Sequence, residues 1–242
     1  MRILVISDIH ANLTALEAVI KHASQVDAVW CLGDLVGYGP DPNECVTMVR
    51  SLPNLVCVLG NHDAAVLRQI DSSAFNPEAR QVIYWTQSEL TNDNLDFLKN
   101  LPERAVQDHV TLVHGSPRQP VWEYLLDTHN ATHSFEYFDT QYCFVGHTHL
   151  PVMYHFTQGD QSSHLFIPTA DSHVLLNPRA ILNPGSVGQP RDRNPKAAYA
   201  IYYPEKETWE PYRVPYEIAA VQNRMQAARL PERHIQRLSG GW

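Results

Sequence analysis

The chain has 242 residues, 44% of them hydrophobic and 10% aromatic, enough apolar side chain to bury a core and too much for a disordered segment. Its 11 glycines and 17 prolines follow no period, which excludes collagen-like, repeat and coiled-coil architectures. Eighteen Lys and Arg against 26 Asp and Glu give a net charge of -8, so the long-range field repels a nucleic-acid backbone and an anionic membrane, and long nucleic acid is a poor partner.

Ile3 to Ile6 is an unbroken aliphatic run, the pattern of a strand covered on both faces. Ended by Ser7-Asp8, it is too short for a signal peptide or a membrane span, so a cytoplasmic protein is expected. The cysteines Cys31, Cys45, Cys57 and Cys143 show no CxxC pairing and read as reduced, structural thiols. Asn12 caps a helix whose apolar positions Leu13, Leu16, Val19 and Ile20 recur at helical spacing. Ala28 to Leu32 is a second strand, and Asp41-Pro42-Asn43-Glu44 supplies the N-cap, N1 proline and N3 glutamate of a helix running to Leu52. Leu55 to Leu59 is a third strand, after which Asp63 is expected to cap a helix through Leu67.

Two helices are expected between Asn76-Pro77 and Leu101-Pro102, followed by a strand from His109 to Val113. Beyond Val145 come short strands at Pro151 to Phe156, Ser163 to Ile167, His173 to Leu176, Ala180 to Leu182, Ala197 to Tyr203 and Trp209 to Val214, read as a mostly antiparallel sheet. A helix from Glu217 to Ala228 and a polar tail complete the chain. No linker divides it, so residues 1–242 are expected to form a single domain, with 116–141 as a lid segment within it.

Polar residues able to bind metal recur at the strand ends: Asp8-Ile9-His10, Gly33-Asp34, Gly60-Asn61-His62-Asp63, His114-Gly115 and Gly146-His147-Thr148-His149. In an open α/β sheet the carboxyl ends of the strands border the ligand crevice, so these remote segments converge there. Asp8 and His10 are two apart, as are His147 and His149, a spacing that on an extended backbone sends both side chains to one side. Asp8, His10, Asp34, Asn61, His114, His147 and His149 are seven donors, too many for one tetrahedral zinc and without the thiolates of a structural site. Two divalent ions are implied, from among Mn, Fe, Zn and Co with Mn favoured, and a two-metal site with two carboxylates suits phosphate ester hydrolysis.

These five blocks, in this order, resemble the calcineurin-like metallophosphoesterase superfamily, and Asn183-Pro184-Gly185-Ser186-Val187-Gly188-Gln189-Pro190-Arg191 resembles its small bacterial and archaeal phosphodiesterase branch. The resemblance implies an α/β fold, a four-layer α/β/β/α sandwich of two mixed β-sheets flanked by helices. It assigns Asp8, His10 and His149 to a first metal, Asn61, His114 and His147 to a second, and Asp34 to a bridge, with a bridging hydroxide as nucleophile. His62 is then the candidate general acid.

The serine/threonine phosphatase branch carries Asp and Arg three and four residues after the bridging aspartate, where this chain has Gly37 and Tyr38, which counts against a protein phosphatase and leaves open what orients His62. Tyr38, Arg191 and Arg193 are candidates for phosphate contact. The expected activity is that of a phosphodiesterase or pyrophosphatase on a small nucleotide-like phosphate ester, dinucleoside polyphosphates among them by resemblance. A phosphomonoesterase and a non-catalytic scaffold are the alternatives. Trp122, Tyr124, Phe135, Tyr137 and Phe138 are read as packing residues first and as base-stacking residues second. The eight histidines outside the motifs, His234 among them, are read as ordinary surface or core residues.

Overall fold

A computed structural model describes residues 1–157 and 159–242. In chain order these form β1 (Ile3–Ile6), α1 (Leu13–Ala23), β2 (Ala28–Cys31), α2 (Pro42–Arg50), β3 (Val56–Cys57), α3 (Asn61–Val66), α4 (Pro77–Glu89), α5 (Asn92–Lys99), β4 (Arg104–Gln107), β5 (Val110–Val113), α6 (Thr128–Ser134), β6 (Tyr142–Phe144), β7 (Pro151–His155), β8 (His164–Phe166), β9 (Val174–Leu175), β10 (Ala180–Pro184), β11 (Ala197–Tyr203), β12 (Thr208–Val214), α7 (Ile218–Ala227) and α8 (Glu232–Gly240). Among the described residues, no helix is long and apolar enough to cross a membrane.

The strands lie in two six-stranded mixed sheets, ordered β3-β2-β1-β11-β12-β9 and β4-β5-β6-β10-β7-β8. Each contains three parallel neighbours, β3-β2-β1 in the first and β5-β6-β10 in the second. The carboxyl ends of these six strands open into the segments that carry the polar motifs. β1 explains the layering: Ile3 and Val5 point between the sheets, where they meet Trp30, Phe144 and Trp209, whereas Leu4 and Ile6 point outward to Leu16, Val19 and Val46 of α1 and α2. On the far side Val113, Cys143 and Tyr154 pack with Ala131 and Phe135. The result is the four-layer α/β/β/α sandwich.

Several local expectations need correction. The short strands after Val145 do not form one antiparallel sheet: β7, β8 and β10 join the second sheet, β9, β11 and β12 the first, and β10 runs parallel to β6. Apolar alternation marks a strand but not its partner. Asp41 stands at the N-cap of α2, yet its side chain makes no cap hydrogen bond; it accepts from Leu13 N at 3.3 Å and from Arg224 Nε and Nη2, both at 2.8 Å. Asp63 is not the N-cap residue of its helix: α3 begins at Asn61 with Gly60 at the N-cap, and the Asp63 carboxylate, at N3, accepts from Gly60 N at 3.1 Å as in a capping box and from Val36 N at 3.2 Å.

The polar tail is the helix α8. Its Ile235 and Leu238 are buried against Val221 and Met225 of α7 and Val82 of α4. Two aliphatic residues among charged neighbours leave a faint periodic signal, but each contributes roughly 1.5 to 3 kcal/mol once buried.

Arg224 ties this C-terminal helical pair to the first sheet's helices, since its Nη2 also donates to Thr14 Oγ1 at 2.8 Å. Removing it leaves the nearly buried Asp41 carboxylate with a single weak donor. Because the guanidinium is partly exposed, Arg224→Ala should cost only about 1 to 2 kcal/mol, a fall in Tm of roughly 2 to 6 °C. A melting curve within about 1 °C of the parent would show that the tether carries no stability.

Candidate metal centre

The seven predicted donors do converge, though not by the alternation of an extended chain. β1 ends at Ile6 and β6 at Phe144, and beyond them Asp8, His10, His147 and His149 have φ of 53°, 48°, 64° and 60°, with Asp34 at 54° after β2. Left-handed backbone at non-glycine residues costs roughly 1 to 3 kcal/mol each and persists only where surrounding bonds hold it. Those bonds are present. Asp8 N donates to Gly33 O at 3.1 Å and His10 N to Asp34 O at 3.0 Å, which zips the first two loops together. His147 N donates to Asp8 Oδ2 at 3.1 Å, joining a loop of the second sheet to one of the first.

The Asn183 to Arg191 segment, readable as a plain strand connection, braces the cluster. Asn183 Nδ2 donates to Gly146 O at 2.7 Å and Thr148 Oγ1 at 3.0 Å, fixing the loop between the two histidines. Ser186 Oγ and Gly188 N donate to Asp8 O at 2.8 and 2.9 Å.

Each of the four histidines carries one ring nitrogen against a backbone carbonyl: His10 Nδ1 to Val36 O at 3.1 Å, His114 Nδ1 to Leu32 O at 2.8 Å, His149 Nδ1 to Gln189 O at 2.6 Å and His147 Nε2 to Trp122 O at 3.0 Å. A carbonyl only accepts, so that nitrogen bears the proton and the opposite nitrogen turns its lone pair inward. The inward nitrogens crowd one another, with His10 Nε2 at 3.1 Å from His149 Nε2 and His114 Nε2 at 3.2 Å from His147 Nδ1.

Carboxylate and amide oxygens join them. Asp8 Oδ1 lies 3.3 Å from His149 Nε2 and has no hydrogen-bond partner although fully buried. Asn61 Oδ1 lies 3.0 Å from His114 Nε2. Asp34 Oδ2 stands between the groups, 3.6 Å from His10 Nε2 and 3.3 Å from His114 Nε2. Asp8, His10 and His149 offer donor atoms within 4.8 Å of one another, as do Asp34, His114 and His147. Inward lone pairs and an orphaned carboxylate oxygen fit divalent cations and fit little else.

The electrostatics agree. Burial pushes Asp8 up to about 7, partly offset by His114 and reinforced by Asp34. Burial opposes charge on Asp34 too, but His114 and His62 outweigh it and hold that carboxyl far below its usual range. Burial likewise works against a cationic His114, yet attraction to Asp34 raises it to about 9. Burial keeps His10, His147 and His149 well below the usual imidazole range, and hence neutral. Neutral His10, His147 and His149 beside an anionic Asp34 are in the state that ligates metal, and a cation bound at Asp34 would take the place of the His114 proton that Asp34 attracts.

His62 is held by packing, not by a carboxylate. Its ring lies 4.4 Å from that of Tyr38, 5.0 Å from Phe75 and 5.0 Å from His10, and its backbone N donates to Asp34 Oδ1 at 2.8 Å. The structure also explains why position 37 is glycine. Its φ is +92°, and a Cβ there would stand 2.5 Å from His62 Nδ1, so an aspartate has no room. Asp63 is engaged elsewhere, and Nδ1 is left buried without a partner. Burial lowers His62 to about 4, with Asp34 pulling the other way. His62 also stands within 4.8 Å of His10 and Asp34 donor atoms.

Of the three residues expected at phosphate, Tyr38 and Arg191 lie at the cluster: the Tyr38 ring is 4.6 Å from that of His10, and the Arg191 guanidinium carbon is 5.8 Å from the Tyr38 centroid. Arg193 is exposed, its backbone N bonded to Gly241 O at 2.6 Å. Within 116–141, Phe135 and Phe138 are buried in the core and Tyr137 is exposed. Tyr124, 42% exposed, stacks on His147 at 3.7 Å. Two residues escaped the sequence reading: His234 and Arg237, brought to Tyr38 and Gln189 by α8. Only the faint stripe of buried positions in that helix could have pointed to them.

Comparison with known proteins agrees with this geometry. The calcineurin-like phosphoesterase superfamily domain matches residues 1–207. A metallophosphoesterase from Sphaerobacter thermophilus has a solved structure that is similar at 45% identity, covering 100% of this chain and 99% of that one with a TM-score of 0.90. An uncharacterized protein of Methanocaldococcus jannaschii is 38% identical over 95% of this chain and 94% of its own length. A symmetrical bis(5'-nucleosyl)-tetraphosphatase of Pectobacterium carotovorum is 30% identical over 112 residues, 45% of this chain and 40% of that protein. The chain therefore belongs to the calcineurin-like phosphoesterase superfamily and is a metal-dependent phosphoric ester hydrolase.

Proposed function

We propose that the chain is a phosphodiesterase or pyrophosphatase acting on small nucleotide-like substrates through a dinuclear centre, with manganese the favoured ion. The observation that carries this reading is Asp34 Oδ2 standing between two groups of inward-facing donors. Asp8, His10 and His149 would hold one ion, Asn61, His114 and His147 the other, and Asp34 both. Bound divalent ions supply a water of lowered pKa and charge neutralisation at phosphorus. The resemblance over 112 residues to a bis(5'-nucleosyl)-tetraphosphatase supports the choice of a nucleotide.

The chain's own residues do the rest. Arg191 binds the phosphoryl oxygens, and His62, with Nδ1 free of any protein partner, supplies the proton to the leaving oxygen. An incoming phosphoryl anion offsets the burial that otherwise keeps that ring neutral. Tyr124, lying against His147 at the edge of the cluster, offers a face on which a base can stack, and residues 116–141 act as the lid that carries it. Four free, buried cysteines suit the reducing cytoplasm, the proposed location.

Chelator-stripped protein should hydrolyse neither class of chromogenic ester, and manganese should restore turnover with a clear preference for bis(p-nitrophenyl) phosphate over the monoester. Preference for the monoester would transfer the assignment to a phosphomonoesterase, and no metal-dependent turnover on either would overturn the hydrolytic reading.

Two variants separate metal binding from proton transfer. A Cβ on Gly60 would overlap Asp34 Oδ1 and the Asp34 backbone N, so Gly60→Ala should lower both metal content and activity. His62→Ala should cut kcat by about 100-fold or more while metal content stays at the parent value. Loss of metal in His62→Ala would make that residue a ligand rather than the acid.

A further inference from the structure

The metal cluster has a cationic neighbour that is only half supplied by the matched family domain, because Arg191 lies within residues 1–207 whereas Arg237 is carried by α8, which begins at Glu232. Arg191 Nη2 and Arg237 Nη1 both donate to one acceptor, Gln189 Oε1, at 3.1 and 3.4 Å. Among the described residues neither guanidinium meets a carboxylate within 4 Å, although both are half-buried and side by side. Arg237 also lies 5.6 Å from the Trp242 ring, which positions it without neutralising it.

The donors around this pair are unsatisfied. Arg191 Nε, Arg237 Nε and Gln189 Nε2 are buried with no partner, and so are both ring nitrogens of His234, one donor and one acceptor in a neutral ring that is only 2% exposed. His234 sits 4.7 Å from the Tyr38 ring, which in turn contacts His10 and His62. An unpaired buried donor costs about 1 to 3 kcal/mol, so several in one place call for a ligand rich in acceptor oxygens. The location is fixed by Gln189, whose backbone O holds His149 Nδ1 at 2.6 Å while its side chain holds both arginines.

We propose that Arg237 and His234, next to the Arg191 that binds the scissile group, form an anion subsite for the phosphoryl group adjoining the scissile one, so that the substrate class carries at least two linked phosphoryl groups. The inference rests on the proposed phosphoesterase reading of the neighbouring cluster, and it makes α8 part of substrate recognition. The α8 groups stand one side chain beyond the metal ligands, across Tyr38 and Gln189, so a second, linked phosphoryl group is what would extend a substrate toward them. Like-charge repulsion between the two arginines, which together with burial lowers Arg237, is relieved when the second phosphoryl group arrives.

Calorimetric titration of the manganese-loaded protein with ADP and with AMP, in excess manganese, isolates the one added phosphoryl group. The parent should bind ADP at least tenfold more tightly than AMP, Arg237→Gln should erase most of that ratio, and Arg237→Lys should restore part of it. Should Arg237→Gln fail to fold, as judged by circular dichroism, His234→Gln should lower the ratio in its place. Equal affinities of the parent for ADP and AMP, or a ratio unaltered in the variant, would overturn the proposal. Chromogenic ester hydrolysis on the same samples reports on the catalytic reading separately: no turnover with an intact ADP preference sinks that reading and leaves the subsite standing.

Discussion

Everything at the site depends on lone pairs that face one another. Four imidazoles are pinned by carbonyls on their outer nitrogens, and their inner nitrogens meet at contacts of 3.1 and 3.2 Å around Asp34. Without a cation that arrangement is repulsive, and the left-handed backbone at five of the donors adds conformational cost. The sandwich absorbs both. Two sheets with fully buried inner faces present six parallel strand ends side by side, and loop-to-loop bonds such as His147 N to Asp8 Oδ2 cross from one sheet to the other. The stability of the core is spent on holding a pre-strained, metal-shaped pocket.

Much of this was legible in the sequence because the governing signals are local. The aliphatic run Ile3 to Ile6 forecasts a doubly covered strand, and the Asn12 cap is realised by a bond from Ala15 N to Asn12 Oδ1 at 3.1 Å. The polar motifs were recognisable because turn residues and metal donors coincide at the strand ends. The α/β character followed from the alternation of strands and helices, whereas the four layers followed from the resemblance to the calcineurin-like superfamily.

What stayed hidden was long-range. Asp41 had every mark of a capping residue, but an arginine 183 positions away offers a charge-assisted pair that outcompetes a backbone N–H. Asp63 caps its helix from N3 rather than from the N-cap, and its second oxygen reaches Val36 N on a different loop. The i, i+2 argument for Asp8 and His10 reached the right side chains through the wrong backbone, because spacing alone does not reveal a left-handed turn. The orientation of His62 by aromatic packing against a glycine was beyond any motif, since it depends on Phe75 and Tyr38 arriving from different loops. His234 and Arg237 were obscured for the same reason, in a helix with only two large apolar anchors.

The most direct test of the account is the manganese stoichiometry of the chelator-stripped chain, followed by electron paramagnetic resonance. Two ions about 3.5 to 4 Å apart share a bridging ligand and couple magnetically. The account predicts two manganese ions per chain and an exchange-coupled spectrum that Asp34→Asn abolishes. One ion per chain with an isolated six-line signal would contradict it.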